Sequence, residues 1–177
     1  KKSKKLLIYD PMHGDYAPRT LVEDSKGNVW IGTYGQGLYI YSSEQTLIKR
    51  LSGDDVLKSN TINHLYSDKN NNIWVATNEG IAVQEVGLPI GQLRILMPEG
   101  ADAWHIINAI SGDDSGSIWC STKSGLFRYL PSENRFLLYD ESFGIPVGGI
   151  VNGSVMKDSQ GKLYFGMQDG LCYFKPS

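Results

Sequence analysis

Four segments recur along the 177-residue chain at one spacing: Asp24-Ser-Lys-Gly-Asn-Val-Trp30, Asp68-Lys-Asn-Asn-Asn-Ile-Trp74, Asp113-Asp-Ser-Gly-Ser-Ile-Trp119 and Asp158-Ser-Gln-Gly-Lys-Leu-Tyr164. Their aromatic anchors lie 44, 45 and 45 residues apart (30 to 74, 74 to 119, 119 to 164). A period in that range belongs to arrays of one supersecondary unit, each copy burying its apolar face against the next. The length suggests one domain over residues 1–177.

Aligned on the anchors, the copies share more than the turn. About ten residues before each anchor come Pro18 and Leu21, Ile62 and Leu65, Ile107 and Ile110, Asn152 and Val155, which mark a first strand. An Asp then opens a turn closed by Gly27, Asn71, Gly116 or Gly161, the residue types that reach positive φ at least cost. Second strands follow at Val29 to Thr33, Ile73 to Thr77, Ile118 to Thr122 and Leu163 to Met167. After Gly37, Gly80, Gly125 and Gly170 come third strands, Leu38 to Tyr41, Ile81 to Val83, Leu126 to Tyr129 and Leu171 to Phe174. Outer strands are expected at Leu47 to Leu51, Leu93 to Met97 and Phe136 to Tyr139. Four strands per unit make the blade of a β-propeller, so the fold class is all-β with four four-stranded blades, part of a larger ring.

The opening Leu6-Leu-Ile-Tyr9-Asp10 matches the outer strand Phe136-Leu-Leu-Tyr139-Asp140. It is expected to supply the fourth strand of the last blade and so remove an open sheet edge. A chain cut mid-blade from a longer array explains the same match, and the two readings are compatible. With four blades in hand, further repeats or a second copy of the chain would complete a ring.

Twenty Gly, ten Tyr and four Trp without helical periodicity agree with an ordered β domain. A net charge of −2 speaks against nucleic acid or a membrane surface as partner. The basic start Lys1 to Lys5 precedes too few apolar residues for a signal peptide, and no stretch approaches the roughly 20 needed to span a bilayer. Cys120 and Cys172 occupy unequal positions in their units and are read as free thiols. His13, His64 and His105 lack metal-ligand spacing, so neither cofactor nor metal is expected.

The unit Asp24-Ser-Lys-Gly27-Asn-Val-Trp30-Ile-Gly32-Thr33-Tyr-Gly-Gln-Gly37-Leu38 resembles the two-component regulator propeller repeat, and the resemblance runs from Leu6 to Phe174. The second copy departs from the pattern at Asn71 and Ala76, the fourth at Tyr164 and Met167. Such repeats build the periplasmic sensor of hybrid two-component systems in Bacteroidetes, which detect polysaccharide breakdown products and signal to a histidine kinase and response regulator on the same polypeptide. The resemblance therefore implies a non-catalytic, periplasmic ligand-recognition fragment with an oligosaccharide as ligand. The sialidase-type Asp-box places Asp and Gly two apart, whereas Asp24 and Gly27 are three apart. Tryptophan-aspartate repeats fit no better, because no Trp here precedes Asp. The streptogramin-lyase type of propeller, whose repeats also run Asp-x-x-Gly-x-x-Trp, is the enzyme alternative. A propeller that only spaces another from the membrane is the structural one.

Asp24, Asp68, Asp113 and Asp158 are assigned to holding turns, since an Asp at the head of such a turn accepts backbone N–H bonds. Trp30, Trp74, Trp119 and Tyr164, repeated inside a strand, are assigned to filling the space between blades. Trp104 has no counterpart in the other units and sits beside His105, an aromatic face next to polar groups such as a sugar requires. Tyr16, Tyr34, Gln36, Asn78, Glu79, Lys123, Gln168 and Asp169 are expected on the same rim and complete the candidate ligand set, with Phe143 a weaker member. His105 with Glu99 and Asp102, and His13 with Asp15, are the groups an enzyme would use there as acid and base, although loop polar groups of this kind are ordinarily just solvated.

Overall fold

A computed structural model of the chain describes residues 17–96, 106–145, 150–168 and 170–176. The first blade consists of Pro18–Glu23 (β1), Val29–Thr33 (β2), Leu38–Tyr41 (β3) and Leu47–Leu51 (β4). The second holds Ile62–Ser67 (β5), Ile73–Thr77 (β6), Gly80–Gln84 (β7) and Arg94–Leu96 (β8). Ala109–Gly112 (β9), Ile118–Thr122 (β10), Gly125–Leu130 (β11) and Arg135–Tyr139 (β12) form the third, and Ile150–Lys157 (β13), Leu163–Met167 (β14) and Gly170–Phe174 (β15) the fourth. Each is an antiparallel meander in which consecutive strands are hydrogen-bonded neighbours.

The turns follow from residue type. Gly27, Asn71, Gly116 and Gly161 close the first turn of each blade at φ between 64° and 93°, the left-handed region that Gly and Asn enter most readily. In each, the amide of that residue donates to the carbonyl of the Asp three positions earlier.

Packing between blades builds three linked cores. Trp30 and Ile40 of the first blade meet Ile73, Val75 and Ala82 of the second. Trp74 and Val83 meet Ile118, Cys120, Phe127 and Tyr129 of the third. Trp119 meets Leu163, Phe165 and Phe174 of the fourth. Gly32 shows how close the sheets come: a Cβ there would lie 2.5 Å from Ile62 Cγ2 and 2.7 Å from Thr20 Cγ2. Cys120 is buried and Cys172 half-buried, both as free thiols, and burial pushes both pKa values up.

The structure differs from expectation at Leu21 and in the outer strand of the second blade. Leu21 is 64% exposed, because it lies on the face of β1 turned away from the second blade. Its counterpart Leu65 is buried beneath the first blade. Leu93 precedes β8 and packs into the first core, and Met97 lies outside the described residues. Leu6 to Tyr9, expected to close the last blade, also lie outside them.

Candidate functional site

The Asp that heads each turn does two jobs. In the first blade Asp24 Oδ1 accepts the amides of Lys26 and Asn28, both at 2.9 Å, while Oδ2 accepts Asn28 Nδ2 at 2.9 Å and the Trp30 indole N–H at 3.0 Å. Asp68 repeats this set with Asn70, Asn72 and Trp74. Asp113 accepts from Ser117, Ser115 and Trp119, and Asp158 from Gln160, Lys162 and the Tyr164 hydroxyl at 3.0 Å. Burial pushes the Asp24 and Asp113 carboxyls up, but the donated bonds outweigh it and hold both below the usual carboxylate range. With their oxygens so occupied, these carboxylates brace turn and anchor and are not free for a ligand.

On the opposite rim the inner strands β1, β5 and β13 and the approach to β9 converge at their N-terminal ends. Arg19, Asn63 and Asn108 stand eleven residues before their anchors, and Asn152 twelve before Tyr164. Asn63 is 1% exposed and fully engaged. Its Oδ1 accepts Arg19 Nη1 at 2.8 Å and Asn152 Nδ2 at 3.5 Å, and its Nδ2 donates to Asn78 Oδ1 at 2.8 Å and to the Ile107 carbonyl at 2.9 Å. The Gly153 amide donates to the Asn108 carbonyl at 2.8 Å. Residues from all four blades thus meet around one buried amide.

Tyr34 stands at the edge of this cluster, 61% exposed, with the Arg19 guanidinium 4.8 Å from its ring centroid. Its position is set by the backbone: its amide donates to the Ala17 carbonyl at 3.1 Å, and it bridges Thr61 across the blade boundary. Of the expected ligand set, then, Tyr34 and Asn78 are brought together through Arg19 and Asn63. Gln36 is drawn outward, its Oε1 accepting Arg50 Nη2 at 3.0 Å. Lys123 lines a shallow hollow with Leu138 and Asp140, and Glu79 and Gln168 are exposed in their turns. Phe143 is 65% exposed and rests on Tyr139, ring centroids 5.1 Å apart. Tyr16, Trp104, His105 and Asp169, together with His13, Asp15, Glu99 and Asp102, lie outside the described residues. Arg19 and Asn63 were absent from the expected set, although a polar residue recurring once per period within an apolar strand is the signal that marks them.

Two stretches of the sequence, residues 13–35 and 56–79, match the two component regulator propeller family. The whole chain is similar to the extracellular domain of the hybrid two component system BT3049 from B. thetaiotaomicron, at 34% identity and a TM-score of 0.86 over 99% of this chain. These two matched stretches are two-component regulator propeller repeats. The chain spans 24% of that relative's length. A catalytically inactive virginiamycin B lyase from Staphylococcus aureus shares 14% identity over 95% of this chain and 58% of its own, with a TM-score of 0.68. The WD40 beta propeller domain of Doa1 shares 14% over 91% and 50%, with a TM-score of 0.65. At that identity both likenesses show the propeller fold alone. No curated protein matches the sequence.

A concavity also lies on the rim of the Asp turns. A cleft of about 440 Å³ between the second and third blades is lined by Asn72, Trp74, Glu85, Arg94 and Arg128 among others. Two of its cations are tied within their own blades, Arg94 to Glu85 at 2.6 Å and Arg128 to Asp113 at 3.6 Å, while Lys69 Nζ donates across to the Asp114 carbonyl at 3.0 Å. No helix among the described residues is long and apolar enough to cross a membrane.

Proposed function

We propose that this chain is a ligand-recognition segment in the periplasmic sensor region of a hybrid two-component regulator, that it responds to oligosaccharides released from polysaccharides, and that it binds without catalysis. The observation that carries this reading is the similarity to an extracellular domain of such a system across nearly the whole chain. The rim supports it: an exposed aromatic ring beside a braced cation and the Asn78 side-chain amide offers a sugar both a stacking face and hydrogen-bond partners. Kinase and response regulator belong, in this reading, to the rest of the polypeptide.

A lyase-like enzyme has only the fold in its favour, at 14% identity. A spacer propeller would share the fold and leave the rim idle. Calorimetric titration of the purified chain with a panel of oligosaccharides from plant and host polysaccharides tests the proposal, with a cyclic streptogramin ester included. Heat from one class of sugar without turnover is expected. Silence across the panel overturns it in favour of the spacer, and cleavage of sugar or ester overturns it in favour of an enzyme.

A further inference from the structure

Arg19 has unspent binding capacity, and its position is fixed. A guanidinium carries five N–H donors. Among the described residues the Arg19 group makes one hydrogen bond, to Asn63 Oδ1, and one ring contact, to Tyr34, and no carboxylate pairs with it. Arg94 is paired to Glu85, Arg135 to Glu133, and Arg50 is spent on the carbonyl and side chain of Gln36.

An exposed arginine ordinarily samples many rotamers, which makes it a poor site by itself. Here the orienting group is a buried amide with all four of its hydrogen bonds made, held by residues of the second, third and fourth blades. The remaining N–H groups are therefore presented at a defined place, at the mouth of the propeller axis. The exposed Tyr34 ring lies 4.8 Å away, within reach of one sugar unit.

We propose that the axial mouth formed by Arg19, Tyr34, Asn63 and Asn78 is a subsite for an acidic sugar, with the sugar ring against Tyr34 and its oxyanion, carboxylate or sulfate, on the Arg19 guanidinium. Both oxyanions offer paired acceptor oxygens that match the planar fork of arginine, and such charge-assisted bonds are roughly twice as strong as neutral ones. Asn78, whose Oδ1 accepts Asn63 Nδ2, places its own amide beside the fork, where a ring hydroxyl would fall. This inference rests on the reading of the chain as an oligosaccharide sensor and narrows it to acidic ligands.

The test is calorimetric titration of the purified chain with tetragalacturonate, a sulfated disaccharide and neutral tetragalactose, at low and raised salt. One or both acidic ligands should bind in preference to the neutral one, and their relative affinity tells carboxylate from sulfate. Added salt should weaken the binding. Arg19→Gln should reduce affinity for the acidic ligand about tenfold or more, with Arg19→Lys between the two, because lysine keeps the charge and loses the fork. Tyr34→Ala should weaken it independently of salt. Since Tyr34 is exposed and Gln or Lys at position 19 keeps an N–H donor for Asn63 Oδ1, the melting temperature should hold in all three variants. Equal affinity for the neutral sugar, or binding indifferent to Arg19→Gln, overturns the acidic subsite and leaves oligosaccharide recognition standing. No binding of either acidic ligand overturns it as well, whereas the sensor reading falls only if the wider panel of sugars is also silent.

Discussion

Asp113 Oδ2 accepts the indole N–H of Trp119 at 2.8 Å, so the residue that heads the turn and the aromatic six positions later are bonded to each other. The same link joins Asp24 to Trp30, Asp68 to Trp74 and, through a phenol in place of an indole, Asp158 to Tyr164. The carboxylate fixes the rotamer of the side chain on which the next blade packs. In the first three blades turn and inter-blade core are thus one device, while Tyr164 keeps the bond without a blade packed on it among the described residues.

Replacing Asp113 by Ala should therefore cost more than a turn bond. It removes acceptors for Ser117, Ser115 and Trp119 at once and strands a buried indole N–H. A loss of about 2 to 4 kcal/mol in urea denaturation is expected. A loss below about 1 kcal/mol would mean that the carboxylate holds the turn alone.

Trp74→Ala should cost about 3 to 5 kcal/mol, as large truncations in cores do. Trp74 is 3% exposed, lies 5.8 Å from the Tyr129 ring and sits in the core shared by the second and third blades. Denaturant unfolding measures it, and a nearly neutral result would remove Trp74 from the inter-blade core.

His64 gives the fold a pH dependence. Burial lowers its pKa from the ordinary value of about 6.5, and its Nδ1 accepts the Ile110 amide at 3.2 Å, a bond only the unprotonated nitrogen can make. The unfolded chain takes up the proton first, so this contribution is whole above about pH 6.5 and is lost as pH falls from there toward the lower folded value. Thr20 makes the corresponding bond from the first blade, accepting the Leu65 amide at 3.1 Å, without titrating. His64→Thr should accordingly lose less stability than the parent between about pH 7.5 and about pH 5, followed by thermal melts. Parallel curves would show that His64 does not report on acid.

The last blade presents an uncovered row. Met156, Tyr164 and Tyr173 lie side by side on β13, β14 and β15, at the positions taken by Val22, Trp30 and Ile40 in the first blade. Trp30 and Ile40 are buried beneath the second blade, whereas Met156 and Tyr173 are 56% and 60% exposed, with Leu171 beside them at 57%. Exposed apolar faces of this kind drive association. Light scattering of the purified chain should show a dimer formed through this face, and Met156→Glu with Tyr173→Glu should return it to a monomer. An oligomeric state indifferent to both substitutions would place any contact elsewhere.

How far the sequence can be read depends on where the information lies. A blade is a local object: its turns need Gly or Asn at positive φ, its strands need apolar residues in a set order, and the period repeats these demands four times. All four second strands, Val29–Thr33, Ile73–Thr77, Ile118–Thr122 and Leu163–Met167, were legible for that reason. Leu21 was not, because its exposure depends on which side of β1 the second blade takes, a fact that exists only between blades. The rim divides the same way. Membership of a loop was readable for Tyr34, Asn78, Gln36 and Lys123 alike, but convergence was not. Tyr34 and Asn78 belong to one cluster because Asn63, 44 residues after Arg19, receives a hydrogen bond from Arg19, whose guanidinium lies over the Tyr34 ring, and donates one to Asn78. Gln36 is lost to it because Arg50, fourteen residues on, pulls it outward. Sequence by itself determined the repeat, the blade and the anchor, since these rest on short-range backbone sterics. Only the stacking of the sheets decided which polar residues share the axis, since side chains on separate strands meet only when the blades have packed.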